Sequence, residues 1–219
     1  MRVSGKGLIN RQNKVNFKFD GVNYTGYEGD NVASALLASG KKLFGRSFKY
    51  HRPRGVLTAG SEEPNALITV GEGSFQDPNV RATTQEIFEG LVTRSQNNWP
   101  NLSYDVLSIN DLFSHFLGAG FYYKTFMWPK SFWEKIYEPF IRRAAGLGSL
   151  SGLHNSDTYE KAYAFCDLLV IGGGSSGLLA AKLAAEAGLD VIIAEQEPIF
   201  GGRLNLSLIH ISEPTRRVL

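Results

Sequence analysis

Apolar and polar residues alternate near the start of the chain, where Val15–Phe19 reads V-N-F-K-F. This alternation predicts a strand with one buried face, and Asp20-Gly21 directly after it favours a two-residue hairpin turn. Val22–Tyr27 resumes the extended pattern. We therefore expect an antiparallel pair of strands.

The next apolar run, Val32–Ala38, has the composition of a short helix. Asp30 stands before it where an N-cap belongs, and Gly40 follows it as a C-terminal cap. Asn65–Val70 and Arg81–Phe88 predict further strands. A hairpin, a helix and then more strands is an α+β order, and a β-grasp fold fits it.

Aromatic residues crowd the middle of the chain, from Phe113 to Phe140. They favour either a connector packed on its neighbours or a docking surface for a partner subunit, because aromatic side chains dominate both cores and interfaces. Gly146–Asp157 is rich in Gly and Ser and predicts a flexible boundary. The sequence does not separate the two interpretations.

The pattern changes again from Phe165. Leu168–Ile171 predicts a short buried strand, Leu178–Ala187 a helix, and Val191–Ala194 a second strand. This β-α-β order predicts the start of an α/β Rossmann-type dinucleotide-binding domain. We divide the chain into residues 1–95 (β-grasp), 96–164 (connector), 165–205 (truncated Rossmann unit) and 206–219 (tail).

Gly172, Gly174 and Gly177 have the spacing G-x-G-x-x-G between the first strand and the helix. In that context the glycines allow a tight turn, a close approach of pyrophosphate and close helix–strand packing. Glu195 follows the second strand, where a carboxylate accepts hydrogen bonds from ribose hydroxyls and disfavours a 2′-phosphate. Gly201-Gly202-Arg203 adds a second glycine turn. The motif predicts NAD or FAD and does not choose between them.

Composition narrows the function classes only a little. The net charge of +2 gives no general attraction for nucleic acid or anionic membranes. The basic loop Arg46–Arg54 interleaves cations with aromatics, but we expect its arginines to pair with acids of a neighbouring domain or subunit. The one cysteine, Cys166, excludes an internal disulfide and indicates a reducing compartment. We expect a cytoplasmic protein with no nucleic-acid or membrane partner.

Four long strings resemble sarcosine oxidase α subunits, in the order in which they stand here: Arg46–Gly55, Glu62–Ala66, Ala119–Phe126 and Tyr137–Gly148. The chain is similar to the amino-terminal part of that family from about Gly5 to Leu204. The resemblance implies a ferredoxin-like first domain and an NAD site in the domain that follows. It also implies a heterotetramer with β, γ and δ subunits.

In the full complex the resemblance implies FAD, FMN and tetrahydrofolate in addition to NAD. The implied reaction is oxidative demethylation of sarcosine to glycine, with hydrogen peroxide and formaldehyde or methylenetetrahydrofolate. It places no catalytic residue on this chain. By motif and resemblance together, the candidate cofactor-binding residues are Gly172, Gly174, Ser175, Ser176, Gly177, Glu195, Gln196, Glu197, Gly202 and Arg203.

The ferredoxin-like domain carries no ligands for a [2Fe–2S] cluster, which needs four thiolates or a close substitute. Cys166 lies in the next domain, where we expect a small buried residue. His51, His115 and His154 lack metal-ligand spacing. We expect no metal site, and a β-grasp domain that serves as a scaffold or docking module.

Residues 206–219 do not continue the βαβ pattern, and we interpret them as a non-native tail derived from a sequencing adapter.

Two other functions remain open. The chain could belong to a related flavin-dependent amine or imino-acid dehydrogenase, of the opine or proline type. It could also be a non-catalytic β-grasp interaction module.

Overall fold

The computed structural model of the chain describes residues 2, 9–121, 126, 128–197 and 199–205. The predicted tail, 206–219, lies outside the described residues. The chain forms two compact units, Met1–Ser156 and Asp157–Leu219. The division between them falls inside the predicted connector.

The first unit is built on a five-stranded mixed sheet. Its strands are β1 (Asn10–Phe19), β2 (Val22–Glu28), β5 (Leu67–Val70), β6 (Asp77–Arg81) and β7 (Val92–Ser95), in the order β2-β1-β7-β5-β6. Strands β1 and β7 are parallel, and the other neighbours are antiparallel. A separate two-stranded ribbon pairs β3 (Gly45–Arg46) with β4 (Pro53–Arg54).

The predicted hairpin is confirmed. Strands β1 and β2 form an antiparallel pair in which Phe19 lies opposite Val22, next to the turn. The turn residues Asp20 and Gly21 have φ angles of 51° and 77°. Two left-handed residues in succession match the twist of the flanking strands, which is why Asp-Gly favours this turn.

Helix α1 (Val32–Ala38) forms as expected, but its predicted N-cap is wrong. Asn31 caps the helix, because its side chain accepts the Ser34 backbone N–H at 2.8 Å and the Ser34 hydroxyl accepts the Asn31 N–H at 3.1 Å. Asp30 instead accepts the Tyr27 backbone N–H and the Ser34 hydroxyl. The capping residue therefore lies one position later than the sequence suggests.

The core of the first unit lies between the sheet and α1. Phe17, Phe19, Leu36, Phe44 and Ile68 are buried there, each no more than 2% exposed. The apolar faces of β1 and of α1 meet in this cluster. A mixed sheet wrapped around one helix is a β-grasp arrangement, as expected from the element order.

The strand predicted over Arg81–Phe88 is wrong, since β6 ends at Arg81. The chain turns there, and the carbonyl of Ala82 accepts the N–H of Ala33 at 2.8 Å. The carbonyl of Gln85 accepts the N–H of Val32, also at 2.8 Å. The segment thus satisfies N–H groups at the start of α1, which have no acceptors within the helix, and is not part of a strand ladder.

Residues 96–156 contain short turns of 3-10 helix, a π-helical turn (Trp133–Tyr137) and helix α2 (Glu138–Ala144). The Phe132 and Phe126 rings pack against Tyr137. Phe116 and Trp128, in contrast, are 79% and 84% exposed. Packed and exposed aromatics therefore both occur in this region, and the choice between a packed connector and a docking surface stays open.

The basic loop is tied down within its own unit. The Arg46 guanidinium donates to the carbonyls of Leu102 and Ser103. Arg52 forms an ion pair with Asp111 at 2.6 Å. The loop arginines were expected to pair with acids of a neighbouring domain or subunit, but Arg46 binds backbone carbonyls and the acid partner of Arg52 lies in the same unit.

The second unit pairs β8 (Leu168–Ile171) in parallel with β9 (Val191–Ala194), joined by helix α3 (Ser175–Glu186). The expectation of a buried first strand is wrong for its outer face, because Leu169 and Ile171 are 53% and 83% exposed. Within the described residues of this unit, α3 covers one face of the pair. Cys166 is half-buried rather than buried.

Among the described residues, the helices are all too short or too polar to cross a membrane.

The two neighbouring leucines of α1 provide a direct test of the core. Leu36 is fully buried and its neighbour Leu37 is 42% exposed. We expect Leu36→Ala to lower the free energy of unfolding by about 2–5 kcal/mol, because it leaves a cavity. Leu37→Ala should lower it by less than about 1 kcal/mol. Urea unfolding followed by far-UV circular dichroism measures both values, and equal losses would contradict this description of the core.

Candidate functional site

The glycine loop of the second unit leaves β8 and enters α3 within three residues. The Gly172 N–H donates to the Ala194 carbonyl at 2.8 Å and so extends the β8–β9 pairing. Gly172 has a φ angle of 100°, a left-handed value that favours glycine. Gly174 is the N-cap of α3. A Cβ atom on Gly177 would lie 2.0 Å from the Gly172 carbonyl oxygen, so the helix and loop are in close contact there.

Glu195 follows β9 and its carboxylate points at this loop. Its Oε2 accepts the Gly173 N–H at 2.5 Å, and its Oε1 accepts the N–H groups of Gln196 and Glu197 at 2.7 and 3.0 Å. The backbone N–H of Glu197 and then that of Gly173 hold the pKa of Glu195 below its ordinary value. Glu195 is therefore an anion at neutral pH, held against the glycine loop.

The second glycine turn lies beside the first. The Gly201 N–H donates to the Gly173 carbonyl at 2.8 Å, and Gly201 forms a parallel bridge with Gly174. A Cβ on Gly173 would lie 2.3 Å from the Phe200 ring. A Cβ on Gly202 would lie 3.4 Å from the Gly174 Cα. Two glycine-rich backbones thus run side by side at the start of α3.

The structure places most of the candidate residues in one small region. Ser175, Ser176 and Gly177 form the first turn of α3, and Gln196 and Glu197 contribute backbone N–H groups to Glu195. The side chain of Arg203 lies outside the described atoms. Two contributors were missing from the candidate set, Gly173 and Gly201, which link the two turns. Each is next to a residue of that set, and the glycine runs Gly172-Gly173-Gly174 and Gly201-Gly202 were the signal.

This arrangement has the properties of an anion site. The first N–H groups of a helix have no acceptor within the helix and carry a partial positive charge. The loop has little side-chain bulk, so a phosphate could approach the backbone of Gly174, where a Cβ position meets no atom within 4 Å. Glu195 stands at the edge of the loop as a hydrogen-bond acceptor.

Two family models match the chain. The one described as "2Fe-2S iron-sulfur cluster binding domain" matches residues 12–98, and the one described as "FAD dependent oxidoreductase" matches residues 167–213. The first covers the β-grasp domain, and the second begins at the residue before β8.

A sarcosine oxidase subunit alpha from Rhizobium meliloti is 59% identical over 203 residues, which is 93% of this chain and 21% of that protein. This chain is homologous to sarcosine oxidase α subunits. A second α subunit, from a Corynebacterium species, is 31% identical over 90% of this chain and 16% of its own length. The chain thus spans about a fifth of the length of these relatives. The homology confirms the resemblance on which the sequence interpretation depends.

A solved structure, L-proline dehydrogenase from P. horikoshii, superposes with a TM-score of 0.45 at 20% identity, covering 88% of this chain and 26% of that one.

The residues of the β-grasp domain do not fit an iron–sulfur cluster. Four thiolates hold such a cluster, and the matched segment 12–98 contains no cysteine, since Cys166 is the only one in the chain. Among the described residues there is no group of three or more His, Cys, Asp or Glu side chains placed to hold a metal. His51, expected to be structural, bonds through Nδ1 to Asp105 Oδ2 at 2.6 Å, which is consistent with that role.

A carboxylate in that same domain is held by the loop between β4 and β5. Glu63 is 1% exposed, and its two oxygens accept backbone N–H groups from Leu57, Thr58, Asn65 and Ala66. Burial by itself would raise the pKa of Glu63, but these N–H groups outweigh it and hold the pKa below its ordinary value of 4.5. Sequence reasoning missed this residue, because a carboxylate bound by backbone has no side-chain motif.

Two glycine substitutions separate packing from ligand access in the loop before α3. We expect Gly177→Ala to destabilise the βαβ unit by about 1–3 kcal/mol, because its Cβ overlaps the Gly172 carbonyl. Gly174→Ala should cost less, about 0.5–1 kcal/mol, since its Cβ points into open space and only the N-cap preference changes. Hydrogen–deuterium exchange of peptides from residues 168–194 measures the difference. Equal exchange in the two variants would argue against the close packing described here.

The Glu63 carboxylate predicts an acid-dependent part of the stability. A folded-state pKa below 4.5 means that the unfolded chain binds more protons near that pH. The stabilisation is therefore complete above about pH 4.5 and is lost as the pH falls through the folded-state pKa. We expect the difference in unfolding free energy between wild type and Glu63→Gln to be constant from about pH 6 to 8 and to shrink toward pH 3. A difference that does not change with pH would contradict this.

Proposed function

We propose that residues 165–205 begin a Rossmann-type domain and that the Gly172–Gly177 loop binds the pyrophosphate of a dinucleotide. The single observation that carries this proposal is the glycine loop between a parallel strand pair and a helix start. Glu195 is held beside that loop by the Gly173 N–H. Backbone N–H groups at a helix start stabilise phosphate charge without a basic side chain.

Glu195 supports a role for the adenosine ribose. Each carboxylate oxygen has two lone pairs, and the bonds to Gly173, Gln196 and Glu197 use three of the four, so Oε2 can still accept one ribose hydroxyl. Its negative charge would repel a 2′-phosphate. We therefore propose an unphosphorylated ribose, as in NAD or FAD. Ser176, Gln196, Glu197 and Arg203 are proposed further contacts, by homology with the α subunits.

NAD is our first candidate, because the resemblance to sarcosine oxidase α subunits implies it. FAD is the second, since the family model described as "FAD dependent oxidoreductase" matches residues 167–213. Either cofactor, when bound, supplies a two-electron acceptor. The residues of this chain would bind and orient the ADP half of the cofactor and would contribute no catalytic group.

At the level of the whole protein, we propose an oxidoreductase that acts as the α subunit of a sarcosine oxidase with β, γ and δ partners. The proposed reaction yields glycine, hydrogen peroxide and a one-carbon unit. FAD, FMN and tetrahydrofolate would be bound elsewhere in that complex. The support is the 59% identity to a sarcosine oxidase subunit alpha. We propose domain limits of 1–95, 96–164 and 165–205.

Calorimetric titration with NAD, FAD and NADP tests the cofactor proposal. We expect NAD or FAD to bind at or below about 1 mM and NADP to bind at least about tenfold more weakly, because Glu195 faces the 2′ position. Gly174→Ala should weaken binding at least about tenfold, since its Cβ occupies the space needed for the pyrophosphate.

Glu186→Gln is the matched control, because Glu186 lies at the far end of α3 and pairs only weakly with Lys182, at 3.6 Å. It should bind as the wild type does. Failure of all three dinucleotides to bind the wild-type chain at about 10 mM, far above the usual affinity range, would refute the proposal.

A further inference from the structure

The loop between β4 and β5 surrounds one carboxylate with converging backbone N–H groups. Glu63 Oε2 accepts the N–H of Leu57 at 2.7 Å and that of Thr58 at 2.6 Å. Oε1 accepts the N–H of Asn65 at 2.7 Å and that of Ala66 at 3.2 Å. Both oxygens are therefore bound by main chain from either end of one loop.

The dipoles of these four N–H groups stabilise the negative charge of Glu63 without a counter-ion. No described Lys, Arg or His side chain forms an ion pair with Glu63. A buried carboxylate that had neither a counter-ion nor hydrogen-bond donors would be strongly unfavourable. Successive N–H groups that converge in a loop create a concave site for anions, and such sites occur around phosphates and iron–sulfur clusters.

The family model that matches this domain describes proteins that bind an anionic cluster. The domain matches a cluster-binding family, yet it has no thiolate to hold a cluster. An iron–sulfur cluster with its cysteine thiolates is an anion whose sulfur atoms accept N–H hydrogen bonds. In this chain the four N–H groups of the loop have the Glu63 carboxylate as their acceptor.

We infer that residues 57–66 form an anion-binding nest whose occupant is the tethered Glu63 carboxylate, and that a small free carboxylate occupies it when this side chain is removed.

The nest is held open by contacts that do not involve Glu63. The Thr83 hydroxyl donates to the Gly60 carbonyl at 2.6 Å and joins the loop to the residues after β6. The Ala82 N–H donates to the Ala66 carbonyl at 2.9 Å and fixes the other end. The N–H groups should therefore keep their directions in a Glu63→Ala variant. Leu57 and Thr58, whose N–H groups bind Oε2, are both exposed residues, so a small anion has a short path from solvent.

Thermal unfolding of the full chain in sodium formate, against sodium chloride of equal ionic strength, tests this inference. We expect Glu63→Ala to lower Tm by roughly 10 °C, because it leaves buried N–H groups without an acceptor. Formate at about 0.5 M should restore half or more of that loss by mass action, and chloride should not.

Two variants make the comparison specific. Glu62→Ala removes the exposed neighbouring carboxylate and should respond to formate as the wild type does. Glu63→Gln should be destabilised but not rescued, because its amide fills the nest and leaves no space for formate. An equal gain from formate in every variant would show a general salt effect and overturn the inference.

If Glu63→Ala does not fold during expression, its refolding yield from denaturant in formate and in chloride provides the same comparison. A higher yield in formate that Glu63→Gln does not share supports the nest. No gain in either the unfolding or the refolding experiment overturns it. The outcome is independent of dinucleotide binding, which involves the other unit.

Discussion

Backbone N–H groups that converge on a carboxylate fix one loop in each unit of this protein. Glu63 accepts four of them in the first unit, and Glu195 accepts three in the second. In both cases the hydrogen bonds hold the pKa of the carboxyl below its ordinary value. A loop that binds a charge in this way loses its alternative conformations, because each N–H has one acceptor direction to satisfy.

The two units differ in how the rest of their structure is stabilised. The first has a closed core in which Phe17, Leu36 and Ile68 are almost fully buried between sheet and helix. The second is a two-strand pair whose Ile171 is 83% exposed. Hydrophobic burial therefore stabilises the β-grasp domain strongly, whereas the geometry of the βαβ unit depends more on local contacts such as that between Gly177 and Gly172.

The sequence predicted elements whose signals are local. The Asp20-Gly21 turn and the two parallel strands β8 and β9 follow from turn chemistry and apolar runs, and they form where expected. The prediction failed where a longer-range requirement decided the structure. Residues after Arg81 leave the strand because their carbonyls are needed at the start of α1. The Glu63 site was not predictable from pattern, since its ligands are main-chain groups that only the folded loop brings together.

The two carboxylates differ in exposure, and this difference fits the two roles that we propose for them. Glu63 is 1% exposed, and its four bonds to backbone N–H groups use both lone pairs of each oxygen, so it completes a scaffold. Glu195 is only half-buried, at the edge of a loop whose Gly174 backbone is open to solvent. An anion that fills its nest leaves no place for a ligand. In the dinucleotide site that we propose, an anion at the rim of an open glycine loop leaves the helix N–H groups available for phosphate and keeps one acceptor position for a sugar hydroxyl. The same backbone chemistry thus closes the site in the first unit and leaves it open in the second.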